Sequence, residues 1–296
     1  MTDKNKAILY TAIAITSWST VATAFKIGLR HYNYFELILV AATVALIAFA
    51  VVISFQRKWH LVGKLLQRRW KTFALTGMLN PALYYLILFQ SYDLLPAQIA
   101  QPINYFWPTL LTILLAIFTK QNIPAFKFIG MLISFGGVIL ISAGTESITG
   151  VQLSRTGILL AFSSAFLWAL FWILNRRNQK TDMVAGLFLS FLFGTVYLAV
   201  AANFVPVNLF SIQGFLSAAY AGLFEMAVPF IFFGLALQKS TNLSFTNQLV
   251  YLSPFISLFI IHLVLGETIY FTTYIGLFLI VFGILANEYL SRRKKP

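Results

Sequence analysis

One acid lies deep within an apolar stretch of this sequence. Glu225 sits about eleven residues into the run from Gly214 to Leu237, with Val228 and Pro229 following. A carboxyl group in hydrocarbon is costly and marks a functional site by default. Such a group can bind the amino group of a small molecule, or take up and release a proton. The structural alternative is a protonated side chain bonded to a neighbouring helix. Two polar stripes accompany it. Gln98, Gln101, Tyr105 and Pro108 are spaced by 3, 4 and 3 residues, which on a helix covers an arc of about 80°. Ser244, Asn247, Tyr251 and Pro254 repeat the pattern, with Gln248 beside it. Polar side chains in a membrane face a partner helix or a water-filled path. The stripes therefore read as two walls of one cavity, or as hydrogen bonding between helices. Pro108 and Pro254 each remove a backbone donor, which makes them candidate hinges or static kinks.

Other chemistries are excluded by what the chain lacks. It has no cysteine, so disulfides, thiolate metal sites and thiol catalysis are out. His31, His60 and His262 are far apart and in no zinc-type motif. There is no phosphate-binding glycine loop with lysine, no GxSxG and no HExxH. No cofactor, metal or catalytic residue is therefore expected, and the chain reads as not an enzyme. Asn80-Pro81-Ala82 matches a signature of water channels, but those carry it twice, and the corresponding position here is Met226-Ala227-Val228.

The elements that must position these residues follow from composition. Hydrophobic residues make up 59% of the 296 and charged ones 10%, against about 25% charged in an ordinary soluble domain. Ten apolar stretches are separated by short polar breaks: 7–29, 34–55, 72–92, 96–118, 127–144, 156–174, 183–204, 214–237, 245–265 and 271–290. The fold class is all-α and integral to the membrane, with ten transmembrane helices. If the N-terminus is inside, 18 of the 21 Lys and Arg residues fall in inner segments, against Arg30 and Arg155 outside and Lys26 within a span. The positive-inside rule then places both termini in the cytoplasm of a multi-pass cell-membrane protein, an inner-membrane one if bacterial. The basic excess reads as a topology signal with some attraction to anionic lipid, and not as nucleic-acid binding. Lys4, Lys6, the apolar run and Ala22-Thr23-Ala24 imitate a signal peptide, but the run is long and is read as a retained first helix.

The sequence also repeats. At an offset of 146, Tyr105 falls on Tyr251, Pro108 on Pro254, Gly130 on Gly276 and Gly137 on Gly283; near the start of each half an offset of 150 pairs Trp18 with Trp168 and Lys26 with Arg176. Each half, 1–150 and 151–296, holds five spans, and an odd number inverts the second half relative to the first. Inverted repeats are an architecture of secondary transporters, with the substrate site at midplane between the halves. Trp18, Trp107, Trp168 and Trp172 lie inside spans, where rings suit flat, apolar or zwitterionic cargo, or simply pack. Lys26 and His262 are expected to snorkel to the outer interface. Ten helices form a full path in one chain, so the expected partners are a small-molecule substrate and membrane lipid, and no dimer is required.

Ser17-Trp18-Ser19-Thr20 with Lys26, the proline-bearing fourth and ninth spans, and the glycines Gly130, Gly136, Gly137, Gly276 and Gly283 resemble the drug/metabolite transporter superfamily, of the EamA-domain type. Trp18-Ser19-Thr20 and Asn104-Tyr105-Phe106-Trp107-Pro108 are similar to the aromatic amino-acid exporter branch. The resemblance implies two five-helix repeats and export of amino acids or related metabolites by alternating access. Its cavity is built from helices 1, 3, 4, 6, 8 and 9, which points at Trp18, Ser19, Tyr84, Gln101, Tyr105, Trp168, Glu225, Asn247 and Tyr251. The acid at Glu225 has no assigned place in the family pattern. A multidrug or sugar-conjugate carrier of the same fold is the runner-up, with a channel or membrane enzyme further behind.

Overall fold

In the computed structural model, which describes residues 2–119, 125–150, 152–176, 182–240, 246 and 249–293, the chain is helical, with no strand among the described residues. The helices are α1 (Asp3–Gly28), α2 (Tyr34–Phe55), α3 (Trp59–Gly77), α4 (Tyr84–Leu94), α5 (Ala97–Asn104), α6 (Trp107–Thr119), α7 (Ala125–Thr149), α8 (Arg155–Arg176), α9 (Met183–Ala201), α10 (Ile212–Ala221), α11 (Val228–Lys239), α12 (Leu252–Leu265) and α13 (Phe271–Arg293). Short π-helical turns, Met78–Leu83 and Gly222–Ala227, join α3 to α4 and α10 to α11. Among the described residues, six continuous helices are long and apolar enough to cross a membrane: Asp3–Gly28, Tyr34–Phe55, Trp59–Leu94, Arg155–Leu174, Met183–Ala201 and Ile212–Lys239. Shorter apolar helices add Ile129–Ile141, Leu252–Leu265 and Phe271–Ala286.

Local sequence explains several ends. Asn33 and Glu36 form a reciprocal capping box at α2, each side chain accepting backbone N–H groups of the other's turn. Asp182 and Ser211 accept the Ala185 and Gly214 amides at the starts of α9 and α10. In the lipid-like pattern expected of a membrane protein, the outside is apolar, with Ile117, Leu132, Leu159, Phe259 and Phe278 exposed. The interior instead holds polar side chains such as Ser19, Asn80, Gln101, Ser164 and Ser253. Some serines and threonines return their hydroxyls to the helix, as Thr11 does to the Ala7 carbonyl at 2.8 Å and Ser17 to that of Ile13 at 2.9 Å.

Close approaches set the packing. The helices α7 and α13 lie along one another. A Cβ on Gly137 would collide with the Gly276 carbonyl oxygen, and one on Gly283 with that of Gly130. These two contacts exchange under the 146-residue offset, and Ser134 donates to the Ile280 carbonyl, exactly 146 residues away, at 3.0 Å. In the same way Gly77 of α3 meets the Ser190 backbone of α9, and Gly222 meets the Ala41 backbone of α2.

The breaks differ from the uniform spans expected from composition. The fourth stretch is two helices, α5 and α6, interrupted at Tyr105 and Phe106. Pro108 therefore stands in the first turn of α6, and Pro254 likewise in the first turn of α12 after Tyr251, where a missing N–H costs nothing because first-turn donors have no helical partner. The basic segment before the third stretch is also helical. Trp59–Arg68 is amphipathic and meets the apolar part of α3 at Arg69, whose backbone leaves helical geometry (φ −138°, ψ 23°).

Candidate functional site

The two π-helical turns, Met78–Leu83 and Gly222–Ala227, each lie at or just before a proline. Pro81 has no N–H for the Gly77 carbonyl, and Asn80 beside it departs from helical geometry at φ −145°, ψ 117°. Pro229 likewise has no N–H for the carbonyl of Glu225, four residues earlier. That carbonyl accepts the indole N–H of Trp18 from α1 at 3.3 Å. The first turn packs against α9, where Gly194 leaves room for the Pro81 ring. The second packs against α1 and α2 and turns Glu225 inward. π-helical turns recur at functional sites because they redirect side chains that a regular helix would hold in register.

Glu225 faces a cavity of about 510 Å3. Its carboxylate Oε1 accepts the Tyr85 hydroxyl at 3.2 Å. The walls are aromatic and come from both halves: Trp18, Tyr84, Tyr92, Tyr105, Trp107, Trp168, Trp172, Phe233 and Tyr251 all line it. The rings lean on one another. Tyr84 and Trp168 have centroids 4.6 Å apart, Trp168 and Phe230 5.6 Å, and Trp18 and Phe233 5.5 Å. Such contacts fix the ring planes around the cavity. The polar groups are Gln101, Asn104 and Glu225. Asn104 accepts from the Tyr84 hydroxyl at 3.4 Å and donates to Ser164 Oγ at 2.8 Å, while Gln101 Oε1 is buried with no donor among the described residues.

Trp18, Tyr84, Gln101, Tyr105, Trp168, Glu225 and Tyr251 thus come together in one cavity, and Pro108 lines it too. Ser19 does not. Its hydroxyl bonds the Ile15 carbonyl at 2.7 Å and Ser253 Oγ at 3.3 Å, holding α1 to α12. Pro254 is buried in the first turn of α12. Asn247, with Ser244 and Gln248, lies outside the described residues. Gln98 leaves its stripe for the other half, its amide donating to the Thr268 carbonyl at 2.7 Å. Sequence periodicity missed Tyr85, Tyr92 and Phe25. Tyr85 is 140 residues from Glu225, and only the fold brings them together.

A second polar cluster stands beyond Phe25 and Tyr92. Glu267 accepts the amides of Ala97 and Gln98 at 3.2 Å each, capping α5 from the other half of the chain. Lys26 donates to the carbonyls of Tyr92 at 2.7 Å and Leu95 at 3.1 Å, rather than snorkelling outward, so a cation serves the C-terminal end of α4. His262 bonds the Glu267 carbonyl at 2.9 Å. No group of metal-ligating side chains exists among the described residues.

Comparison with known proteins agrees with this architecture. An uncharacterized transporter of Bacillus subtilis (strain 168), YvbV, is 26% identical over 235 residues, which is 78% of this chain and 75% of the relative. An uncharacterized transporter of Archaeoglobus fulgidus is 25% identical over 293 residues, 96% of this chain and 98% of its own. A crystal structure at 18% identity shares the fold with a TM-score of 0.71, over 99% of this chain and 100% of that one. The sequence model of the EamA-like transporter family matches residues 5–143 and again 155–287. This multi-pass membrane protein belongs to the EamA-like transporter family.

Proposed function

We propose that the protein is an alternating-access secondary carrier that exports amino acids, aromatic or neutral, or similar small amphipathic metabolites across the cell membrane. The reading has ten spans in two inverted five-helix repeats, 1–150 and 151–296, with both termini cytoplasmic. Its main support is the cavity of about 510 Å3 between the halves, walled by rings and holding, among the described residues, one acid. That combination accepts a flat apolar body by stacking and a polar head by hydrogen bonding. On this reading, as for the relatives named transporters, the protein is a carrier and not an enzyme.

The paired breaks supply the moving parts of this reading. Tyr105 and Tyr251 interrupt their helices at positions 146 residues apart, each followed by a first-turn proline. Pro108 and Pro254 are the proposed hinges. The cluster of Glu267, Gln98 and Thr268 joins α5 to the α12–α13 loop, and on the proposed topology it closes the outer end. Opening outward would break those bonds.

Counterflow in proteoliposomes tests the proposal. Vesicles preloaded with a panel of amino acids are presented with labelled phenylalanine, tryptophan, threonine or alanine. Saturable accumulation of one of them supports the carrier and names its cargo. Flux that does not saturate indicates a channel, and chemical conversion of the substrate indicates an enzyme. Accumulation only with drugs or sugar conjugates shifts the cargo to those classes.

A further inference from the structure

The cavity does not treat the two charged ends of an amino acid alike. Among its described lining residues Glu225 is the one acid, and there is no lysine, arginine or histidine. The titratable groups in electrostatic reach of its carboxyl are the phenols of Tyr84, Tyr85, Tyr92 and Tyr105. Of the charged side chains on the helices packed around its turn, Lys4 and Lys6 stand at the start of α1, Lys4 exposed and Lys6 partly so, and others are committed elsewhere. Lys26 serves the end of α4, Glu36 the start of α2 and the Asn208 amide, and Lys239 pairs with Asp3. On α10, Tyr220 bonds Thr20 at 2.7 Å.

A carboxyl group in such a site, with no basic partner among the described lining residues, holds either a proton or a cation, because an unpaired buried charge is expensive. The remaining wall suits a cation. Gln101 Oε1 is a buried acceptor without a donor among the described residues, and the aromatic lining that includes Trp18, Tyr84 and Trp168 suits positive charge. An ammonium brings three donors and no acceptor. A carboxylate in the same cavity would meet rings and acceptors, with neutral donors such as the buried, unpartnered Trp172 indole N–H as its match.

We infer that the recognised group is a lone ammonium on an apolar or aromatic body, an arylalkylamine rather than the zwitterionic amino acid, exchanged one for one against a proton at Glu225. The inference rests on the carrier reading above. As the amine enters, the carboxyl O–H bond of Glu225 breaks, the proton leaves to water on that same side, and the carboxylate pairs with the ammonium. After the cavity opens to the other side, a proton from that side replaces the amine. One positive charge crosses each way, so the cycle is electroneutral.

The test uses the full chain in proteoliposomes, with phenethylamine and tryptamine set against phenylalanine and tryptophan. The amines should show saturable counterflow with kcat/KM about tenfold or more above the matching amino acids, and a trapped pH dye should report a proton moving against each amine. In detergent, phenethylamine should perturb the tryptophan fluorescence of the wild-type chain and not of Glu225→Gln, a binding readout that needs no turnover. Amino acids transported as well as the amines, amine flux without proton movement, or a Glu225→Gln chain that binds amines normally would each overturn the inference while leaving the carrier intact. If none of the four compounds shows saturable counterflow, the carrier of aminated cargo falls with it.

Discussion

The two π-helical turns make an instructive pair. Both interrupt a membrane helix beside a proline, one directly after Gly77 and the other beginning at Gly222, and each of these glycines meets a neighbouring backbone. As architecture they are alike. As chemistry they diverge. The turn at Met78–Leu83 buries Asn80, whose side-chain oxygen and nitrogen have no described partner, against α9. The turn at Gly222–Ala227 faces Glu225 into the aromatic cavity, where Tyr85 and Trp18 hold its carboxylate and its carbonyl. Similar geometry therefore surrounds different chemistry: one break buries an amide against α9, and the other faces a carboxyl group into the cavity.

The largest expected effect separates the two chemically. Glu225→Gln should lower saturable transport by about a hundredfold, because an ionisable group in the path is lost while size is kept. Asn80→Ala should leave flux within about twofold. Equal losses at both positions, measured by initial-rate uptake, would mean that the two turns share a role. The architectural likeness is tested by glycine. Gly77→Ala and Gly222→Ala should each destabilise by about 1–3 kcal/mol, since the added methyl meets backbone that cannot move aside freely. Thermal unfolding in detergent reads this, and a neutral result at either site would break the parallel.

Smaller effects sharpen it. Trp18→Phe removes the indole donor from the Glu225 carbonyl and keeps most of the ring. It should cost about 1 kcal/mol and shift transport with it, again seen as a lower melting temperature and slower uptake. The smallest effect belongs to the first turn's helix pair. Lys58 and Asp182, at the starts of α3 and α9, pair at 2.7 Å. Partial burial pushes the Asp182 carboxyl up, but the Lys58 hydrogen bond and charge and the Ala185 and Val184 amides outweigh it and hold the group below its usual range. A carboxylate depressed in the folded state adds stability that is present above its unfolded value, about 3.9, and is lost as pH falls through the folded one. Because both side chains are partly exposed, the gain is at most about 1 kcal/mol. Asp182→Asn should flatten the acid limb of a stability-versus-pH curve; an unchanged limb would show the pair contributes nothing.

Much of the candidate site was legible in the chain. Glu225 stood out because an acid in an apolar run has few structural uses, and Gln101, Tyr105 and Tyr251 because polar and aromatic residues at helical spacing share a face. The stripe was legible only in part. Gln98 lies on the same helical face as Gln101, yet it is drawn to Thr268 because the α12–α13 loop brings acceptors there. Ser19 sits next to Trp18 in sequence, but neighbours on a helix point about 100° apart, and it packs into α12.

From the sequence alone came the membrane class, the helical elements, the aromatic lining and the lone acid, because these depend on composition and on a period that each residue carries locally. Only the tertiary structure decided where those helices break, that Tyr85 and Trp18 secure Glu225, that Lys26 serves the end of α4, and that Glu267 caps α5 from the other half. Those are bonds between residues 66 to 207 positions apart. Hydrophobic periodicity says which face of a helix is buried, and carries nothing about which partner arrives there once the helices have packed.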